Sequence, residues 1–204
     1  MGHSREAKAR SHDRVVAVAA ARFREAGVDG VGVADLMQEA GLTHGGFYRH
    51  FASREDLVAE AVERALSDGG KSVAAIVRAM EEGGAGGGDV AARRQALLAA
   101  LVDAYLSTAH RDGLATSCAV TTLAGDVARS NGRARAAYTR QVATYLDLLM
   151  KLIAGEKRKG RRVKAIAALS TLVGAVSMAR AVDDRELSRE ILKSAADELK
   201  AQLA

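Results

Sequence analysis

Apolar residues recur along this chain at helical spacing, and no segment settles into the sustained alternation that marks a strand. Val16, Ala19, Ala20 and Phe23 stand at i, i+3, i+4 and i+7, and Gly27 follows where a terminating glycine belongs, which predicts a first helix over about Ser11 to Ala26. Val33, Leu36, Met37 and Ala40 repeat the spacing in a two-turn helix that ends at Gly41. Thr43 is a candidate N-cap for a third short helix with Phe47 and Phe51 on one face. Ser53, with Asp56 three residues on, resembles the cap of a fourth helix continued by Leu57, Ala61 and Ala65.

Glycines punctuate the remainder. The pair Gly69-Gly70 weakens the fourth helix or ends its first half, and the run from Gly83 to Gly88 reads as a loop. Leu97, Leu101 and Tyr105 then mark one helix, Val120, Leu123 and Val127 another, and Tyr138, Val142, Tyr145, Leu149 and Ile153 a third. Ile166, Leu169, Val173 and Val176, followed by Leu187, Ile191, Ala195 and Leu199, supply two more. The fold expected is all-α, with about nine helices, the short ones at the front.

Composition strengthens that reading. The 204 residues include no proline, which turns, edge strands and stiff loops normally use, and 49% are apolar, enough for a real core. Unbroken apolar stretches such as Leu97 to Val102 and Leu172 to Val176 fall far short of the roughly 18 residues of a spanning helix, so no membrane segment is expected. The first fourteen residues are polar and do not form a secretory signal, and the lone Cys118 cannot close an internal disulfide. The expected location is the reducing cytoplasm.

Net charge is +5, yet Lys157, Arg158, Lys159, Arg161, Arg162 and Lys164 supply six positive charges within the eight residues 157–164, leaving −1 on the other 196 residues. The simplest reading of that run is a solvated loop or helix end, and on its own the basic balance is weak support for nucleic-acid binding.

The motif that carries function lies between Gly27 and Leu57. Two short helices separated by Gly41-Leu42 form a helix-turn-helix, whose second helix enters the major groove while the first braces it across the backbone. The strings Ala26 to Gly30, Val33-Ala34-Asp35-Leu36-Met37, Ala40-Gly41-Leu42-Thr43, His44 to Phe51 and Ser53-Arg54-Glu55-Asp56-Leu57 resemble the N-terminal domain of the TetR family of bacterial transcriptional repressors. The resemblance implies a DNA-binding domain over residues 1–54 and a helical effector-binding and dimerisation domain over 55–204.

Physical chemistry gives these positions roles. Thr43 can offer a hydroxyl to a phosphate, and the following helix N-terminus is an anion site. Gly45 and Gly46 let the helix approach base edges closely, so His44 and Arg49 are candidate base readers alongside them, with a phosphate contact the alternative for His44. Tyr48, His50 and Arg54 resemble the family's phosphate-contacting positions, which set register without reading sequence. A surface ion pair is the simpler alternative for Arg54. Phe47 and Phe51 read as core, and His3 and His12 as tail residues rather than ligands. The family commonly places hydroxyl residues before the second helix; Val31-Gly32 stand there instead, which removes one backbone contact.

For the second domain, the resemblance implies a homodimer built on the last two long helices and an effector pocket among the helices between about 97 and 180. Tyr105, Cys118, Thr122, Tyr138 and Tyr145 are its candidate lining, and scarce aromatics favour an uncharged, moderately apolar small molecule. The stretch from Thr116 to Val127 also resembles a Cys-containing helix start in a TetR subgroup that includes electrophile-responsive repressors. A thiol in a first helical turn gains reactivity, whereas a small buried hydrophobe is the plainer role for Cys118.

The partners implied are double-stranded operator DNA, an unidentified small-molecule effector and a second copy of the chain, with no membrane, cofactor or metal. An enzyme finds little footing: outside the reading head the only histidine is His110, and no nucleophile, phosphate-loop or metal spacing accompanies it.

Overall fold

The computed structural model describes residues 2–82, 89–130, 132–154 and 157–203, with the side chains of 2–4, 70–77 and 79–82 left aside. The glycine run 83–88, read as a loop, lies outside the described residues. Every regular element among them is a helix. They are α1 (Gly2–Ala26), α2 (Val33–Glu39), a 3₁₀ helix (His44–Arg49), α3 (Arg54–Glu82), α4 (Val90–Tyr105) and α5 (Thr108–Asp112). A 3₁₀ turn (Leu114–Thr116) follows, then α6 (Ala119–Thr122), α7 (Ala124–Arg129), α8 (Gly132–Leu152), α9 (Arg158–Ala181) and α10 (Arg185–Leu203).

Three elements depart from the sequence reading. Helix α1 begins at Gly2 rather than near Ser11, because Arg, Glu, Ala and Lys are good helix formers even without an apolar stripe, and Glu6 and Arg10 pair one turn apart at 3.9 Å. Helix α3 runs straight through Gly69-Gly70. A cost of about 1 kcal/mol per glycine is outweighed by the burial of Leu57, Ala61, Val62, Ala65 and Leu66 on its first half. The single helix expected around Val120 to Val127 is two short ones, parted at Leu123.

The chain divides into two compact units, residues 1–69 with 114–140, and residues 70–113 with 141–204. In the first, Val15, Ala19 and Phe23 of α1 share a core with Leu36 and Met37 of α2, Phe47, Phe51, the buried face of α3, and Val120, Leu123 and Val127. Arg24, in the last turn of α1, is almost wholly buried and donates to the carbonyls of Ala115 (2.6 Å) and Ala65 (3.2 Å). Burial pushes its pKa down, while Asp68, 3.8 Å away, pulls it back up.

The second unit packs α4, α9, α10 and the later part of α8 around Leu98, Val102, Leu149, Leu152, Leu172, Val176, Leu192 and Leu199. Arg180 of α9 donates to the carbonyls of His110 and Arg111, serving the open end of α5. Arg111 donates to Ser188, whose hydroxyl donates to the Ala179 carbonyl at 2.6 Å. By length and composition α9 could cross a membrane, which the search for unbroken apolar runs overlooked because glycine, serine and threonine interrupt it. Its Ala165, Ala168, Leu172, Ala175, Val176 and Ala179 are buried in this unit's core, and core helices of water-soluble proteins pass the same test.

Candidate nucleic-acid interface

The turn between α2 and the 3₁₀ helix is fixed by its backbone. Gly41 adopts φ +73°, which costs a side-chain-bearing residue strain. Its N–H donates to the Gln38 carbonyl (2.9 Å) and the Leu42 N–H to that of Met37 (2.8 Å), the paired bonds of a Schellman ending. At the front of α2 stands Gly32, extended and with no side chain to cap the helix.

After this turn, Thr43 occupies the N-cap position of the 3₁₀ helix in extended conformation, but its hydroxyl makes no capping bond. The expected side-chain cap is absent, and the turn closes through the backbone instead, Gly46 N–H to Thr43 carbonyl at 3.0 Å. The segment His44–Arg49 winds as 3₁₀ rather than α, consistent with the poor α-propensity of two adjacent glycines.

One residue anchors this helix. Phe47 is 3% exposed and stacks on Phe51 at 5.4 Å, while its neighbour Tyr48 meets it edge-on at 5.2 Å and is 79% exposed. His44, Gly45 and Arg49 are also exposed, and Gly46 is half-buried. The short helix therefore presents one glycine, two basic or titratable side chains and an aromatic hydroxyl outward from a single apolar pin.

The remaining candidate positions are more occupied. Arg54 donates to the Val28 carbonyl at 2.6 Å and lies 3.6 Å from Asp29, so the ion pair weighed as its alternative is present, with other guanidinium N–H groups left over. His50 is half-buried with Nδ1 enclosed and unpartnered. Burial pushes its pKa down, as do the positive neighbours His12, Lys8, Arg49 and Arg14.

His12 is not a tail residue. Its Nε2 lies 2.6 Å from Glu60 of α3 and its ring stacks on Phe51 at 4.5 Å, tying α1 to α3 behind the 3₁₀ helix. The side chain of His3 lies outside the described residues.

The five pocket candidates fall into two groups. Cys118, Thr122 and Tyr138 belong to the first unit, where the Tyr138 hydroxyl donates to the Val120 carbonyl (2.8 Å) and Thr122 reaches the Cys118 carbonyl (3.4 Å). Burial raises the Tyr138 pKa, with Cys118 adding to it. Cys118 is partly exposed at the N-cap of α6. Tyr105 and Tyr145 belong to the second unit, both partly buried, with Tyr105 against the ring of His110 at 4.4 Å. Sequence reasoning missed Gln141, which is 8% exposed with Nε2 unpartnered, one turn from Tyr138 and from Tyr145 on α8. Its signal was available as a polar residue on an apolar helix face.

A helix-turn-helix pinned in this way is an arrangement with which DNA-binding proteins read the major groove. Residues 15–61 match the family of bacterial regulatory proteins named tetR. Among solved structures, a TetR transcriptional regulator from Chloroflexus aurantiacus is similar over 96% of this chain and 95% of its own, at 25% identity and TM-score 0.68. E. coli NemR in its reduced form is similar over 95% and 97%, at 18% identity and TM-score 0.73. A TetR-family regulator from Agrobacterium tumefaciens covers 97% and 99%, at 15% identity and TM-score 0.74. No curated protein sequence matches the chain. Residues 15–61 are thus a TetR-family N-terminal domain, and the chain as a whole shares the fold of TetR-family transcriptional regulators.

Proposed function

We propose that the protein is a repressor that holds its operator as a homodimer and lets go when a small molecule binds. Residues 1–54 are the DNA-binding domain and residues 55–204 carry effector binding and dimerisation. One observation carries the first half: Tyr48, Arg49, His44 and Gly45 all face solvent from a helix that Phe47 alone pins to the core.

In this reading His44, Gly45, Gly46 and Arg49 meet base edges, while Thr43, Tyr48, His50 and Arg54 hold phosphates. The uncommitted Thr43 hydroxyl and the exposed Tyr48 fit best, whereas His50, kept neutral, contributes at most a hydrogen bond. A homodimer is supported by Val163, Ile166 and Met178 of α9 and Leu187 of α10, all exposed on helices whose other faces are core. The effector candidates are Cys118, Thr122 and Tyr138 in the first unit, and Tyr105, Tyr145 and now Gln141 in the second. The protein is a cytoplasmic regulator rather than an enzyme.

The test is a mobility shift on DNA upstream of its own gene across a range of salt. Specific binding that weakens steeply with salt is expected. Tyr48→Ala should weaken binding to every sequence, and Arg49→Ala should also relax discrimination by about 1–3 kcal/mol at one base pair. Equal loss on cognate and mutated operators for Arg49→Ala removes its base-reading role.

A second reading rests on Cys118. The residue is partly exposed at the start of α6, and a reduced-form NemR structure shares the fold. Here the signal is an electrophile or oxidant. A quinone or methylglyoxal should release operator from the wild type and not from Cys118→Ser; equal release from both ends this reading.

A further inference from the structure

Helix α9 starts unlike the other helices of its unit, α4, α5 and α10. Asp89 caps α4, Ser107 caps α5 and Asp184 accepts from the first N–H groups of α10. Helix α9 has Lys157 at its N-cap with no capping bond, no acidic residue in its first turn, and Arg158, Lys159, Arg161, Arg162 and Lys164 next along. Cations oppose the positive end of the helix dipole, and the 157/161 and 158/162 spacings make like charges neighbours.

Glu156, directly before the run, lies outside the described residues. Among the described residues no carboxylate pairs with Lys157, Arg158, Lys159, Arg161 or Arg162. Arg161 moreover keeps Nε enclosed and without a hydrogen-bond partner. Lys157, Arg158, Lys159 and Arg162 are exposed. Where several local rules fail together, function is the usual reason.

We propose that this cluster is a second nucleic-acid contact, a seat for the phosphate backbone of duplex DNA that binds separately from the reading head. Charge complementarity argues for that occupant. Residues 1–54 hold eight Lys or Arg and six Asp or Glu, a net +2, so the head itself offers little sequence-independent attraction, whereas the 157–164 run holds six cations and no carboxylate. Arginine forks match phosphate, and helix N-terminal N–H groups donate to it too.

Size agrees. Eight residues occupy about 12 Å of helix axis, against about 3.4 Å of duplex axis per phosphate on one strand. The charges encircle the helix, so only part of them face one duplex, and two or three phosphates is the expected footprint. A lipid surface is the poorer match, because interfacial helices use Trp, Phe or Leu and residues 157–164 contain none of them.

The proposal rests on DNA being the protein's partner, and the experiment separates the two. Three full-length proteins are titrated by fluorescence anisotropy with a random-sequence duplex over a range of salt: the wild type, a head-disabled Tyr48→Ala/Arg49→Ala variant, and that variant with Arg158→Gln, Lys159→Gln and Arg162→Gln added. Circular dichroism confirms that each is folded. The head-disabled protein should still bind, with a slope of log K against log salt of about −2 to −3, and the added substitutions should abolish it. No residual binding by the head-disabled protein, or undiminished binding after neutralisation, overturns the proposal. So does capture of phosphatidylserine vesicles by the cluster when random duplex is ignored. Wild-type failure on operator DNA would instead overturn the repressor reading.

Discussion

A methyl group added at Gly45 would meet no protein atom within 4 Å, so packing does not explain why glycine stands there. Glycine inside a helical segment costs about 0.5–1 kcal/mol relative to alanine. Gly45→Ala should therefore leave thermal stability unchanged or slightly raised while weakening operator binding about tenfold or more, a split seen by melting and anisotropy on the same sample. A stability loss with intact DNA binding would contradict the close-approach role. Gln141 makes the opposite case: a buried amide nitrogen without a partner, as its Nε2 is, costs about 1–3 kcal/mol. Gln141→Leu should shift the denaturant midpoint upward and blunt any effector response; a downward shift would mean that the amide is satisfied in solution. His12 shows what a residue's sequence context can hide. It sits in a stretch without an apolar stripe, and only the fold brings it against Phe51 and Glu60.

At the scale of elements, the helix-turn-helix was legible because its signals are local: Gly41 must take a positive φ, and Phe47 and Phe51 fall on one face. Less legible were elements set by competition. The 3₁₀ winding of His44–Arg49 depends on how two glycines trade against a single buried phenylalanine, and the passage of α3 through Gly69-Gly70 depends on burial that no local pattern announces. The pocket candidates were chosen by residue type along helices, and the fold distributes them over two units, which spacing alone does not reveal.

Acid should be felt at two of these elements. His50 behind the 3₁₀ helix and His110 in α5 both have pKa values pushed down, chiefly by burial, with positive neighbours adding and the Tyr105 carbonyl partly countering at His110. Their folded forms prefer neutral rings, while the unfolded chain takes up protons near an imidazole's ordinary pKa of about 6.5. The unfolded state then binds more protons, so stability is full above that pH and falls as acid is added through and below it. Urea midpoints measured on either side of that pH should show the drop, and His110→Gln should flatten it; an unchanged profile in that variant would assign the drop elsewhere.

For the whole molecule, the exposed Ile166 and Met178 set the next expectation. Glutamate at both positions should give a monomer by sedimentation with helical content retained, and operator affinity should fall about tenfold or more because the two half-sites are no longer read together. A dimer that survives both substitutions would place the interface on another face.

The Arg24 bonds reach further than stability. A side chain in the first helix is committed to a carbonyl ninety-one positions later, and Val28 N–H lies 3.4 Å from Asp126 in the same unit. A chimeric regulator made by splicing this protein's first 54 residues onto a relative's body would arrive with Arg24 seeking the Ala65 and Ala115 carbonyls and Val28 seeking Asp126. Transplanting the operator specificity therefore calls for grafting the exposed residues of the 3₁₀ helix into the recipient, rather than exchanging the segment whole.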